Sequence, residues 1–251
     1  MEPKMRKVFL IALLSLMALP PFAQADGTNE AETIAHAHRA FDACKSSKGA
    51  HIVDDGRTVC LSGDIEPPMF LSLISNKDKI KDDVEVVISS YGGYINSSLD
   101  IVELLNPFHP TTVVGDACAS SCAQFLFLMG DRHVVLRCGG LFIHGGPISI
   151  KAALNLKDTD LNKQAAIENT IRFVSFYKNL AINMDMLTKP PKPVQDQLDK
   201  GQIVFWQWTP NQMRAFGVKG LITERDPDTI NMGNDAECKA ANTANTAADR
   251  K

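Results

Sequence analysis

The sequence has no excess of positive charge. Lys and Arg total 26 against 29 Asp and Glu, a formal charge of −3, and the pI is near 6.1. A chain without a basic surface lacks the electrostatic footprint of a nucleic-acid binder. No GxxxxGK[ST] occurs, so no P-loop is available to hold a nucleotide triphosphate. There is no internal repeat, and beyond the first 25 residues no stretch is apolar and long enough for a transmembrane helix. A hydrophobic share of 45% with 22% charged residues also excludes a disordered or collagen-like chain.

What is present begins with an export signature. Lys4, Arg6 and Lys7 precede an apolar run from Val8 to Leu19, and Ala23-Gln24-Ala25 supplies a small-x-small cleavage pattern. The run is short for a membrane span, and residues 1–25 read as a secretory signal peptide. Cleavage after Ala25 removes three basic residues and one acid, taking the formal charge from −3 to −5. A periplasmic or secreted location is the resulting expectation. Residues 26–50 read as a mobile polar lead-in, 51–230 as one folded domain, and 231–251 as a disordered polar tail.

The six cysteines all follow the signal. An even number in an exported chain points to disulfides, although six allow 15 pairings. Cys44 with Cys60 is the natural local bridge. Pairing of Cys118 or Cys122 with Cys138 would tie together two segments that carry candidate chemistry; the alternative is three small buried side chains. Cys118, Cys122 and Cys138 with His133 or His144 have the chemistry of zinc ligands. Against this, CxxxC is not the usual knuckle spacing and an oxidising compartment favours bridges. No metal or cofactor is expected.

The folded part alternates short strands and helices. TVCLSG (58–63), VEVVIS (84–89) and TTVVG (111–115) are buried strands rich in β-branched residues. Between them, the segments from Pro67 and from Ile95 have helical character, the first opened by proline. A very apolar helix is expected in SCAQFLFLMG, then strands in VVL and LFIH. A long helical pattern runs from Asp160 to Met184, and TPNQMRAFG is a short capped helix before a last strand. This order predicts an α/β domain with a largely parallel sheet.

Three segments place a special residue at the carboxyl end of a predicted strand, where ligand sites gather in such sheets. Gly92-Gly93 lets backbone amides approach a substrate. Ser120-Ser121 opens a buried helix, whose first amides are unpaired. His144 ends LFIH. Each has an ordinary alternative, as a tight turn, an N-cap or a strand-end side chain; together a serine, a histidine and free amides are the parts for acyl transfer.

These segments carry a resemblance. From Val59 to His144 the chain resembles the proteolytic subunit of the Clp protease, within the ClpP/crotonase superfamily. CLSGDI is similar to that family's strand leading into its first helix. VVISSYGGYINSSLDIVELL is similar to its glycine turn and following helix, and GDACASSCAQFLFLMG to its nucleophile segment. LFIHGG resembles the segment of the catalytic histidine, and WTPNQMRAFGVKGLI the closing helix and strand. The resemblance implies a ClpP/crotonase-like α/β fold of repeated β-β-α units in a single domain. Counting back nine residues from Gly130 selects Ser121 as nucleophile, 23 residues before His144. The resemblance then implies Gly93 and Cys122 as oxyanion-hole amides.

Two departures stand out. Tyr91 replaces the proline of the glycine turn, and VFWQW (204–208) fills the place of the family's triad aspartate. Asp199 and Asp196 are the nearest upstream carboxylates, Asp199 being the candidate third member. A lysine base, Lys151 or Lys178, is the pattern of signal peptide peptidase A in the same superfamily. The expected activity is that of a serine peptidase acting on peptides or unfolded proteins that diffuse in. No ATPase ring is expected for an exported chain, and self-association is left open. The rivals are a catalytically inactive binding or scaffold protein with the same fold and a crotonase-like acyl-thioester enzyme.

Overall fold

The computed structural model describes residues 27–144, 163–200, 204–230 and 238. The expected signal segment, Gly145-Gly146, Lys151, the start of the long helical pattern at Asp160, and the tail after 230 apart from Cys238 lie outside them.

The β-branched runs form the centre of a six-stranded sheet. It comprises β1 (Gly49–Val53), β2 (Thr58–Ser62), β3 (Glu85–Ser89), β4 (Thr111–Val114), β6 (Arg132–Val135) and β8 (Leu221–Thr223), in the order β1-β2-β3-β4-β6-β8. All neighbours are parallel except β1, which pairs antiparallel with β2. Side chains alternate between two cores, as strand geometry requires. Val59, Leu61, Val86 and Ile88 enter the larger core, and Cys60, Val87, Val113 and Val134 the smaller.

The larger core is closed by helices α2 (Pro67–Ile74), α3 (Ile95–Leu105) and α4 (Lys163–Asn179), and by a π-helix at Cys122–Leu126. The pattern expected to run on to Met184 stops at Asn179 and resumes in α5 (Asp185–Thr188), with Ala181 in a left-handed conformation between them. The short helices α6 (Lys192–Leu198) and α7 (Pro210–Ala215) follow. Thr209 caps α7 in a reciprocal box with Gln212, the arrangement that satisfies two otherwise open amides.

Within the polar lead-in expected at residues 26–50, the structure describes a helix and the start of a strand. Residues Gly27–Cys44 form helix α1, which lies on the smaller core, and β1 begins at Gly49. Ile34, Ala37, Phe41 and Cys44 recur at three- and four-residue intervals and face the sheet together. Two of the four are small, so the stripe is weak in hydropathy yet lets the helix sit close.

Beyond the main sheet the chain folds into a second, smaller one. β5 (Ala117–Ala119) pairs in parallel with β7 (Gly140–Phe142), and Ser90 bridges in parallel to Cys118. A main-sheet strand, a short second-sheet segment and a helix thus repeat along the chain, which gives the expected β-β-α units.

All six cysteines are paired: Cys44–Cys60, Cys118–Cys122 and Cys138–Cys238. The first is the expected local bridge. The expected link from Cys118 or Cys122 to Cys138 is corrected. Cys118 and Cys122, four residues apart in sequence, have Cα atoms at 5.3 Å, and Cys138 pairs with Cys238 across a separation of 100 residues.

Candidate active site

The second sheet sets the site. Its register aligns Ser90, Cys118 and Leu141 on neighbouring parallel segments. Two residues further along lie Gly92 and Ser120, and three further lies His144. Parallel pairing therefore delivers the glycine turn, the serine pair and the histidine to one edge.

Ser120 is the serine at that edge. Its hydroxyl lies 2.6 Å from Nε2 of His144, within hydrogen-bond reach, and both residues are only partly buried. Ser120 is held with φ +54°, a left-handed conformation rare for a residue with a side chain. Its amide donates to the carbonyl of Phe142 (2.9 Å), which fixes the turn to the strand carrying His144. Gly92, with φ +105°, packs directly under it.

Ser121 is placed elsewhere. It is 1% exposed, and its hydroxyl donates to the carbonyl of Gly93 at 3.2 Å. The expectation that Ser121 faces His144 is thus corrected, and the reason is helical register. Counting back from Gly130 assumes α-helical spacing throughout. The segment Cys122–Leu126 is instead a π-helix, whose i→i+5 bond runs from the Phe127 amide to the Cys122 carbonyl at 2.9 Å. A π-turn takes up one extra residue, so the serine beside His144 lies ten residues before Gly130.

The open amide beside the serine shifts with it. The amide following Ser120 is that of Ser121, not that of Cys122, whose residue is fully buried and bridged to Cys118. Among the described residues no hydrogen bond engages the amides of Gly93 or Ser121. A β-carbon at Gly93 would meet the carbonyl oxygen of Ile65 at 2.3 Å, so only glycine fits that approach.

Gln124 and Phe205 complete the histidine's surroundings. Gln124 is 3% exposed, and its side-chain amide donates to the carbonyl of His144 at 2.6 Å. Its own carbonyl accepts from the buried hydroxyl of Tyr177 at 2.9 Å, a phenol whose pKa burial pushes well up, keeping it a donor. The segment after residue 203 joins the histidine strand through a two-way backbone bridge between Ile143 and Trp206. This sets the Phe205 ring edge-on to the imidazole with centroids 5.2 Å apart.

Asp199 does not join this cluster. It is exposed just after α6 and accepts from Gln195 at 2.8 Å. Asp196 is likewise exposed on α6, and Lys178 is exposed on α4. His133, one of the zinc candidates, is a core residue: its Nδ1 donates to the Phe127 carbonyl at 2.8 Å. Burial lowers its pKa to about 4. Among the described residues no group of three or more His, Cys, Asp or Glu side chains is arranged to hold a metal.

Gln124, and Ser121 as the residue that offers an open amide, are the contributions that the sequence did not single out. A glutamine inside an otherwise apolar helix was the available signal for the first, since a buried amide needs partners.

The family comparison bears on this geometry. The Clp protease family profile matches residues 51–177, half of the chain. The chain belongs to the Clp protease family. Among solved structures it is similar to the ClpP protease catalytic domain from Plasmodium falciparum, with 16% identity and a TM-score of 0.43. That likeness covers 68% of this chain and 86% of the other. No curated protein matches. The profile spans the glycine turn, Ser120 and His144, so the clustered residues lie within the matched part of this Clp protease family member.

Proposed function

We propose that this Clp protease family member is an exported serine peptidase in which Ser120 is the nucleophile and His144 the general base. The observation that carries it is the 2.6 Å contact between the Ser120 hydroxyl and His144 Nε2. The contact is made by a serine held in a left-handed turn at a helix start, as a nucleophile elbow is.

The chemistry follows from the groups present. Neutral His144, with Nε2 unprotonated, takes the hydroxyl proton as Ser120 attacks a peptide carbonyl. The developing oxyanion is received by the amides of Gly93 and Ser121, which have no competing partner among the described residues. His144 then returns the proton to the departing amine, and water hydrolyses the acyl-enzyme by the same route.

Export is supported by the N-terminal signal pattern and by a full set of three disulfides, which persist in oxidising compartments. Without ATP in such a compartment, substrates are peptides or unfolded chains that reach the site by diffusion. Self-association is consistent with the family. The exposed rings of Tyr91 and Tyr94 on either side of the glycine pair supply apolar surface for a substrate side chain.

The test is fluorophosphonate labelling with peptide mapping. The label is expected on Ser120, to be absent in Ser120→Ala, retained in Ser121→Ala, and slowed at least about 10³-fold in His144→Ala. Labelling of Ser121 would overturn the assignment. Inert protein throughout, well folded, would favour a binding or scaffold role.

A further inference from the structure

The Cys118–Cys122 bridge encloses the two serines, and neither sulfur residue is exposed. Its ends are tied to different parts of the site. Cys118 lies in β5, paired with Leu141 on the histidine strand and bridged to Ser90 at the root of the glycine turn. Cys122 opens the π-helix, and its carbonyl is the acceptor of the π-turn bond. Between these ends sits Ser120 in a conformation that a serine disfavours. A backbone outlier persists only where its surroundings over-determine it.

We infer that the Cys118–Cys122 disulfide positions Ser120, holding its left-handed backbone and the π-helical register behind it, and so makes the peptidase competent only after oxidation. The inference rests on the Ser120–His144 reading above. With the bridge open, the helix is free to relax to α-helical spacing. Residues at its start then rotate by about 100° per position, and Ser120 leaves His144. The bridge forms by thiol–disulfide exchange with an oxidised dithiol. The two cysteines lose two electrons and two protons, and the incoming disulfide is reduced to two thiols. Burial of both sulfurs then shields the bond from attack by outside thiolates. The chain is therefore silent while its thiols are reduced and becomes active where disulfides form.

Two measurements on the full mature chain test this. The first compares Cys118→Ala/Cys122→Ala with Cys44→Ala/Cys60→Ala, which removes a bridge remote from the serines. The rate of fluorophosphonate labelling should fall at least about tenfold in the first double variant and stay within about twofold in the second. In graded dithiothreitol, with differential alkylation identifying the open pair, the rate should follow the oxidised fraction of Cys118–Cys122. Equal losses in both variants, or a rate that follows another pair, would overturn the inference.

The second measurement is amide hydrogen exchange, which needs no activity. The amides of Ser120 and Phe127 donate to the carbonyls of Phe142 and Cys122. Their exchange should quicken at least about tenfold in Cys118→Ala/Cys122→Ala, with β2 and β3 unchanged. Unchanged exchange at Ser120 and Phe127 sinks the positioning role even if labelling is lost. An unlabelled parent whose exchange responds as expected sinks only the serine-peptidase reading.

Discussion

Gly92 lies directly beneath the Ser120 side chain: a β-carbon added to it would stand 2.7 Å from the Ser120 β-carbon and 3.2 Å from its hydroxyl. The glycine also has φ +105°, which side-chain-bearing residues avoid. Gly92→Ala should therefore displace the serine from His144 and cut fluorophosphonate labelling by about 10²-fold. Gly63→Ala is the control. Gly63 has φ +95° but open space around its missing side chain, so it shares the backbone strain without the contact. It should lower the melting temperature and leave labelling nearly intact.

Gln124 links the π-helix that follows the serine pair to the His144 carbonyl. Gln124→Leu puts an apolar side chain of similar size in the core but removes the bond to the His144 carbonyl, a loss of about 0.5–1.5 kcal/mol. Because the bond orients the histidine and touches no substrate, peptide hydrolysis should show kcat reduced about tenfold with KM nearly unchanged. An effect confined to KM would place Gln124 in substrate binding instead.

His133 predicts an acid-side loss of stability. In the folded protein burial lowers its pKa to about 4, from an ordinary value of 6.5, against the opposing pull of its bond to Phe127 and of nearby Asp131. Between those values the unfolded chain takes up a proton that the folded chain refuses. The contribution of neutral His133 is thus complete above about pH 6.5 and is lost as the pH falls towards 4, amounting to about 3 kcal/mol. Urea unfolding at pH 7.5, 6 and 5 should show the midpoint falling. In His133→Gln the slope against pH should be shallower, since the substituted side chain does not titrate.

The Cys44–Cys60 bridge joins the end of α1 to β2 with a sequence separation of 16. A closed loop of that size stabilises by about 3 kcal/mol on the chain-entropy argument. Cys44→Ala/Cys60→Ala should unfold at correspondingly lower denaturant. Protease cleavage within residues 29–44 should rise, because α1 covers only the smaller of the two cores.

The sheet was legible because its strands centre on β-branched runs, as at residues 86–88, and parallel order follows from alternation with helices. The histidine and the glycine turn were legible for the same reason: each ends a strand. Helix α1 was not, because alanines give little hydropathy signal even where Ala37 and Ala40 are almost wholly buried. The choice between Ser120 and Ser121 was not legible either. Periodicity arguments assume 3.6 residues per turn, and the π-turn at Cys122 shifts the count by one. Likewise, no spacing rule distinguishes the Cys118–Cys122 bridge from a link to Cys138.

The family's triad aspartate has its counterpart in VFWQW, and backbone pairing of Trp206 with Ile143 brings that segment beside the histidine. Phe205 stands there, 46% exposed, with its ring perpendicular to the imidazole. An aromatic in that place supplies packing that fixes the imidazole plane, and it excludes water from one side of the ring. Asp199, exposed and bonded to Gln195, supplies neither. Asp199→Asn should consequently leave kcat/KM and its pH profile within twofold of the parent. Phe205→Ala should reduce kcat about tenfold, with Phe205→Tyr recovering most of the loss because the aromatic ring is retained. The pH profile of kcat/KM, measured for all four proteins on one peptide substrate, decides between them. If Asp199→Asn alone moved the apparent pKa of the basic group, a carboxylate would be acting on His144 and the aromatic account would fail.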